Sequence, residues 1–265
     1  MLNICICQLI KDEQRYIEEW IDYYLNLGIS KFVLFEDWNS SSHADILSKY
    51  GDKVILHKLY NIATQEEIES VQLVKKEIAW KCFYRLYKNK FDACLFIDPD
   101  EYIHCNKEEF INELNYFNDN TNATVIRYQW QCITASGYIK DPCPNKIYSI
   151  VNTYKTLYND DNSELNNNFK CLLFLNKINE DIFMPIPHGP WIGDHIHYSQ
   201  YKIYHYLTKS WEEFKWSLFI RGMQNKHMYN RKIEIFFDIN KDLLPYKEQL
   251  LKECKGLKYK YNDYN

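Results

Sequence analysis

At 265 residues the chain is long enough for one large domain, or one domain with an elaborated half, around a sizeable core. Its formal net charge is −4, from 32 basic and 36 acidic residues, which excludes the charge excess of a general nucleic-acid binder. Only seven glycines, with no GxGxxG and no GxxxxGK[ST] run, exclude a glycine-rich phosphate cradle.

The nine cysteines are scattered and form no CxxC pair, a pattern of buried free thiols in a reducing compartment and not of disulfides or a zinc site. The opening residues MLNICICQLIKDE become charged too soon for a secretory signal. No run of about 18 apolar residues would span a bilayer. A soluble, cytoplasmic protein is expected.

In chain order, Asn3 to Ile10 alternates and is β-branched, which predicts a first strand. A helix follows, with Tyr16, Ile17, Trp20, Ile21, Tyr24 and Leu27 on one face. Asp12 is its expected N-cap and Gly28 its stop. Lys31 to Phe35 predicts a second strand, ending in the polar loop Glu36 to Ser42. A short helix near Ala44 to Lys49, a strand over Val54 to Leu59 and a long helical segment from Gln65 to Tyr87 come next. Strands alternating with helices predict an α/β fold with a largely parallel sheet and right-handed crossovers.

The next stretch, FDACLFIDPDEYI, organises the chain. Ala93 to Ile97 reads as a buried strand, and Pro99 should end it near Asp98. Three acids follow within four residues: Asp98, Asp100 and Glu101. Carboxylates just past the carboxyl end of a strand lie where open α/β sheets bind ligands. An Asp-x-Asp pair suits a hard divalent cation that keeps positions for water and phosphate. A solvated acidic turn after a core strand would carry the same residues.

Beyond Glu101, Glu108 to Phe117 predicts a helix, and Ala123 to Trp130 and Phe169 to Leu175 predict strands. Asp160 to Asn168 reads as an exposed loop. Pro185 to Trp191 is a rigid loop that holds His188 and Trp191. Ile203 to Leu207 is strand-like, and Ser210 with Glu213 forms a capping box that opens a helix to about Met223. The lysine- and tyrosine-rich end reads as a surface appendage, solvated or touching anionic lipid.

These separated segments together resemble the glycosyltransferases of the family 2-like and family 92 group, which have the GT-A fold. Lys11-Asp12-Glu13-Gln14-Arg15-Tyr16-Ile17-Glu18-Glu19-Trp20 is similar to that group's K-N-E-x-x-Y-L-x-E-W. Asp37-Trp38-Asn39-Ser40 looks like a variant of its D-N-x-S loop, with Trp38 in place of a small polar residue. Asp98 to Tyr102 matches D-x-D-E-[FY], and Trp130 to Gly137 loosely echoes W-x-x-F-G-S-x-G without its Phe-Gly pair. His205 to Phe214 matches H-Y-x-x-K-S-x-E-E-F, with Arg221-Gly222 after it.

The resemblance implies a GT-A, Rossmann-like, mixed and mainly parallel sheet flanked by helices, with an irregular C-terminal acceptor half. It divides the chain into 1–104 (nucleotide half), 105–230 (acceptor half) and a helical, basic appendage at 231–265. It implies an inverting, metal-dependent transfer of a hexose from a nucleotide sugar, UDP-linked, to a glycan or glycolipid acceptor; peripheral contact at a membrane's inner face is the expectation from the lysine- and tyrosine-rich end. The cofactor implied is Mn²⁺ or Mg²⁺, held by Asp98, Asp100 and His205. Lys11, Glu13, Asp37 and Asp98 would bind the nucleotide; helix capping is the alternative role for Lys11 and Glu13. Trp130, His188, Trp191, Lys209 and Arg221 would touch substrate, or else pack and face solvent. Asp194, with Glu101 behind it, is the candidate base, and Glu101 is alternatively an orienting carboxylate. A nucleotidyltransferase on a related sheet and a non-catalytic carbohydrate-binding protein are the competing readings.

Overall fold

A computed structural model of the chain describes residues 2–69, 75–142, 149–159, 165–178, 195–221, 228–255 and 257, with backbone alone at 220–221 and 228–230. The chain divides into two compact units, residues 1–130 with 162–204, and residues 131–161 with 205–265.

The first unit is built on four parallel strands, β1 (Ile4–Ile10), β2 (Lys31–Glu36), β3 (Val54–Lys58) and β4 (Ala93–Phe96). Helix α1 (Ile17–Leu27) links β1 to β2. Short helices α2 (Ala44–Leu47), α3 (Leu59–Ile62) and α4 (Gln65–Glu69) precede the longer α5 (Lys75–Tyr87), which leads to β4. The strands are apolar on both sides because helices cover both faces. On one face Cys5 and Cys7 of β1, Val33 and Phe35 of β2 and Phe96 of β4 pack against Trp80 and Phe83 of α5. On α1, Trp20 is fully buried with its ring edge-on to Phe32, which alternates with Val33 along β2.

Helix α1 stops as the sequence predicts. Gly28 has φ of 112° and donates its N–H to the carbonyls of Leu25 and Tyr24. Its start differs. The helix begins at Ile17, with no side-chain cap. Asp12 lies upstream at φ 51°, and its carboxylate accepts instead from the Ser41 N–H at 2.9 Å. The loop after β2 has claimed the residue expected to cap the helix.

After β4 come β5 (Glu101–Ile103), α6 (Lys107–Asn120), β6 (Val125–Cys132), α7 (Ile150–Thr153), β7 (Phe169–Phe174), β8 (Ile196–Tyr198) and β9 (Ile203–His205). Asn106 and Glu109 close a reciprocal capping box on α6. The described strands form one sheet in the order β3-β2-β1-β4-β7-β6-β9-β5, with β8 also alongside β6. β7 runs antiparallel to both β4 and β6, so the sheet is mixed, as expected. The division between the units falls within β6 and β9.

The second unit holds α7, α8 (Trp211–Trp216), a π-helical turn at Ser217–Arg221, α9 (Met228–Ile239) and α10 (Lys247–Glu253). Ser210 caps α8 by accepting from the Glu213 N–H. Residues 231–265, set apart in the sequence as an appendage, supply Phe236, Phe237, Leu243 and Leu250 to this unit's core, around Trp211 and Phe214. Among the described residues no helix is long and apolar enough to cross a membrane. The eight described cysteines are free thiols, six of them buried.

Candidate active site

The chain runs from β1 to β2 to β3 in one direction, then places β4 on the other side of β1. Successive crossovers therefore diverge between β1 and β4, and the rule for open α/β sheets puts the ligand crevice there, at the carboxyl ends of the strands. Asp98 follows β4 at this point. The side chain of Gln8, on β1, donates from Nε2 to Asp98 Oδ1 across the divergence.

Two further donors meet Asp98. Lys76 of α5 binds Oδ1 and Lys170 of β7 binds Oδ2. Lys170 is 2% exposed and the Asp98 side chain 25%. Burial opposes ionisation of Asp98, but the Lys170 and Lys76 ammonium groups overcome it and hold the carboxyl far below its usual range. Lys170 is penalised by burial as well, and the Asp98 and Glu101 charges more than restore it, so its pKa lies above the usual lysine value.

Glu101 is completely buried. Its Oε2 accepts from the Asp98 N–H at 2.9 Å, its own N–H donates to the Asp98 carbonyl at 3.1 Å, and Oε1 lies 3.2 Å from Lys170 Nζ. Burial pushes its pKa up to about 8; Lys170 opposes the rise, and Asp98 and Asp100 add to it. The loop from Asp98 to Glu101 is thus tied to itself, with Glu101 on the inner side. Asp100 is half-buried, and carboxylate oxygens of Asp100 and Glu101 lie within 4.8 Å of each other. Two carboxylate oxygens so placed are the hard donors that Mg²⁺ or Mn²⁺ takes.

The loops after β1 and β2 are locked together. His43 is fully buried; its Nδ1 meets Glu36 Oε1 at 2.9 Å and its Nε2 accepts from the Glu13 N–H at 3.0 Å. That acceptor role assigns the Nδ1–H tautomer to the ring. Asp12 N–H donates to Ser40 Oγ, and Gln14 Nε2 to the Ser41 carbonyl. Asp37, 6% exposed, accepts from Lys75 Nζ at 3.0 Å and from the Asn39 N–H at 2.8 Å. The Lys75 ammonium also lies 4.1 Å from the Trp38 ring centroid, and Trp38 meets Tyr60 edge-on. Lys11, Glu13 and Asp37 therefore gather at the ends of β1 and β2, beside the β1–β4 crevice.

The remaining candidates are placed as follows. Trp130, 8% exposed, has Lys170 Nζ 5.4 Å from its ring and belongs to the first unit. His205 and Lys209 belong to the second and are buried there; the His205 carbonyl accepts from the Ile133 N–H, and Lys209 has φ of 50°. His188, Trp191 and Asp194, and the side chain of Arg221, lie outside the described residues.

Sequence reasoning missed Gln8, His43, Lys75, Lys76 and Lys170. A signal existed for two of them. Gln8 in ICICQLI and Lys170 in FKCLLF are lone polar residues in otherwise apolar strands, and a buried polar group needs a partner. His43 lies in the run SSSHAD, whose composition reads as a loop and gives no such signal.

No family model matches the chain, and no curated protein matches it. Solved structures do. One is TarS 1–349 of S. aureus, at 12% identity, TM-score 0.40, covering 96% of this chain and 74% of that one. Another is glucosyl-3-phosphoglycerate synthase of Mycobacterium tuberculosis with Mn²⁺, UDP and glucosyl-3-phosphoglycerate, at 16% identity, TM-score 0.33, covering 49% and 44%. A third is the bifunctional glycosyltransferase WbbM, at 11% identity, TM-score 0.44, covering 95% and 51%. The chain thus spans about half or less of the length of the last two. At these identities and TM-scores the likenesses assign this chain neither an activity nor a ligand.

Proposed function

We propose that the protein is a metal-dependent glycosyltransferase that moves a hexose from a nucleotide sugar, UDP-linked, to a glycan or glycolipid acceptor with inversion. The observation that supports this most is the Asp98-Pro99-Asp100-Glu101 motif at the β1–β4 divergence, joined across it by Gln8. Asp37, Lys75 and Trp38, beside this crevice, suit the nucleoside, with Lys11 and Glu13 at the adjoining turn. Asp100 is the carboxylate for the cation, and His205 is proposed as a further ligand from its motif. When bound, the cation would neutralise the leaving diphosphate as a Lewis acid. Glu101 is fully buried and held by the Asp98 N–H and Lys170, so we assign it to positioning the loop. Asp194 is the proposed base, because inversion needs a carboxylate within hydrogen-bond reach of the acceptor hydroxyl. His188, Trp191 and Trp130 are proposed for the sugar, Lys209 and Arg221 for the diphosphate. The proposed location is cytoplasmic, peripheral to a membrane.

Thermal unfolding against a panel of nucleotides, with and without Mn²⁺, tests the assignment on wild type and Asp100→Ala. Ligand at 100 times its Kd adds about 2.7 kcal/mol, or about 5 °C for a chain of this length. A UDP shift that needs Mn²⁺ and disappears in Asp100→Ala supports the reading. No shift with any nucleotide overturns it.

A further inference from the structure

An Asp-x-Asp motif invites the assumption that both acids face the metal, but Asp98 has different neighbours. Its two oxygens are both taken, Oδ1 by Gln8 and Lys76 and Oδ2 by Lys170. These donors come from three separate elements: β1, α5 and β7. Lys170 is held by its strand, since Cys171, the next residue, pairs with Phe96 at the end of β4. It is 2% exposed, so it cannot turn to solvent. A buried ammonium without a counter-ion is strongly unfavourable, so the fold itself requires a carboxylate at this place. Glu101 also faces Lys170, through Oε1 at 3.2 Å, while its Oε2 accepts the Asp98 N–H, so the shorter contact of Lys170 is the one to Asp98. Two ammonium groups on its two oxygens neutralise the charge of Asp98 and occupy the positions a divalent cation would take on it.

We propose that Asp98 is not a ligand of the metal but the counter-ion that holds Lys76 and Lys170 in the crevice, so that Asp100 alone of the motif's two aspartates binds the cation. Lys76 and Lys170 are positioning residues in this arrangement. The Lys76 side chain is 19% exposed and is the member of the pair that reaches the crevice surface. The proposal rests on the metal reading above.

The two roles of Asp98 separate in a pair of variants, read by Mn²⁺ binding followed by electron paramagnetic resonance, with no sugar transfer involved. Asp98→Asn weakens Mn²⁺ under either role, because it exposes the cation to unneutralised lysines or removes a ligand. Adding Lys76→Met lowers the excess positive charge. If Asp98 is a counter-ion, Asp98→Asn/Lys76→Met recovers most of the lost affinity, to within about threefold of wild type, while Asp100→Asn with Lys76→Met stays at least about thirtyfold weak, scales on which about tenfold is 1.4 kcal/mol. If Asp98 is a ligand, the double variant stays as weak as Asp98→Asn, which overturns the proposal and leaves the metal reading intact. A wild-type protein that binds no Mn²⁺ overturns the metal reading, and the proposal with it. Circular dichroism of each variant confirms that the fold is retained, and Lys76→Met alone, binding Mn²⁺ as well as wild type or better, is the second expected result.

Discussion

Replacing Lys170 with Met tests the electrostatics of the site through stability alone. Methionine keeps an unbranched, flexible stem one heavy atom shorter, and removes the ammonium with its contact to the Trp130 ring. Lys170 is 2% exposed and touches Asp98 and Glu101. Breaking a buried ion pair by removing one partner costs about 3–5 kcal/mol. The lower end applies, because the Asp98 side chain is 25% exposed and keeps Lys76 and Gln8. A loss of about 3 kcal/mol, at about 2 °C per kcal/mol for a chain of this length, lowers Tm by about 6 °C. Differential scanning calorimetry at neutral pH measures it. The companion is Lys170→Met/Asp98→Asn, because the two charges are in one network and their effects should not add. A coupling of about 1–3 kcal/mol is expected from the double-mutant cycle. A Tm change under about 1 °C in Lys170→Met, or additive effects in the cycle, refutes the claim that Asp98 and Lys170 sustain each other.

Gly28→Ala forces a side chain onto φ 112°, and its Cβ would lie 3.1 Å from Ile111 Cδ1. A loss of at least about 1 kcal/mol in urea unfolding is expected, and an unchanged midpoint would contradict the strain. Asn106→Ala removes the side-chain half of the α6 capping box and should cost about 1 kcal/mol by the same assay. Glu113 is 8% exposed and burial raises its pKa above 4.5, although Ser199, Tyr128 and the Gln200 N–H donate to it. The folded state therefore holds this proton at a pH where the unfolded chain has released it, and wild type loses stability relative to Glu113→Gln as pH rises from the unfolded value through the raised folded one. Urea midpoints of the two proteins measured between acid and neutral pH should diverge in that direction; parallel curves would show that burial does not perturb this carboxyl.

The first half of the chain was legible because its signals are local. The apolar face of α1, from Tyr16 to Leu27, recurs at helical spacing and is buried as read. The runs in β1, β2 and β4 are strands within a residue or two of the expected bounds. Asp12 was misjudged because capping competes with tertiary hydrogen bonds, and the Ser41 N–H won. β5 was missed because Glu-Tyr-Ile directly follows a proline-containing acidic turn and is only three residues long. β8 was missed because Ile-His-Tyr is equally short and has no clear alternation. The C-terminal residues read as an appendage because composition there is lysine-rich, while Phe236 and Phe237 meet Trp211 only when α9 packs on α8.

By itself the sequence determined that strands and helices alternate, that an acidic motif ends a buried strand, and that Gly28 stops α1. Each of these depends on residues within a turn or two of one another. The tertiary structure alone decided what Asp98 faces. Gln8 lies 90 residues before it and Lys170 lies 72 residues after it. Both arrive because β1 and β7 flank β4, one parallel and one antiparallel. Strand pairing over such separations is fixed by the packing of the whole sheet, which no local pattern of residues encodes.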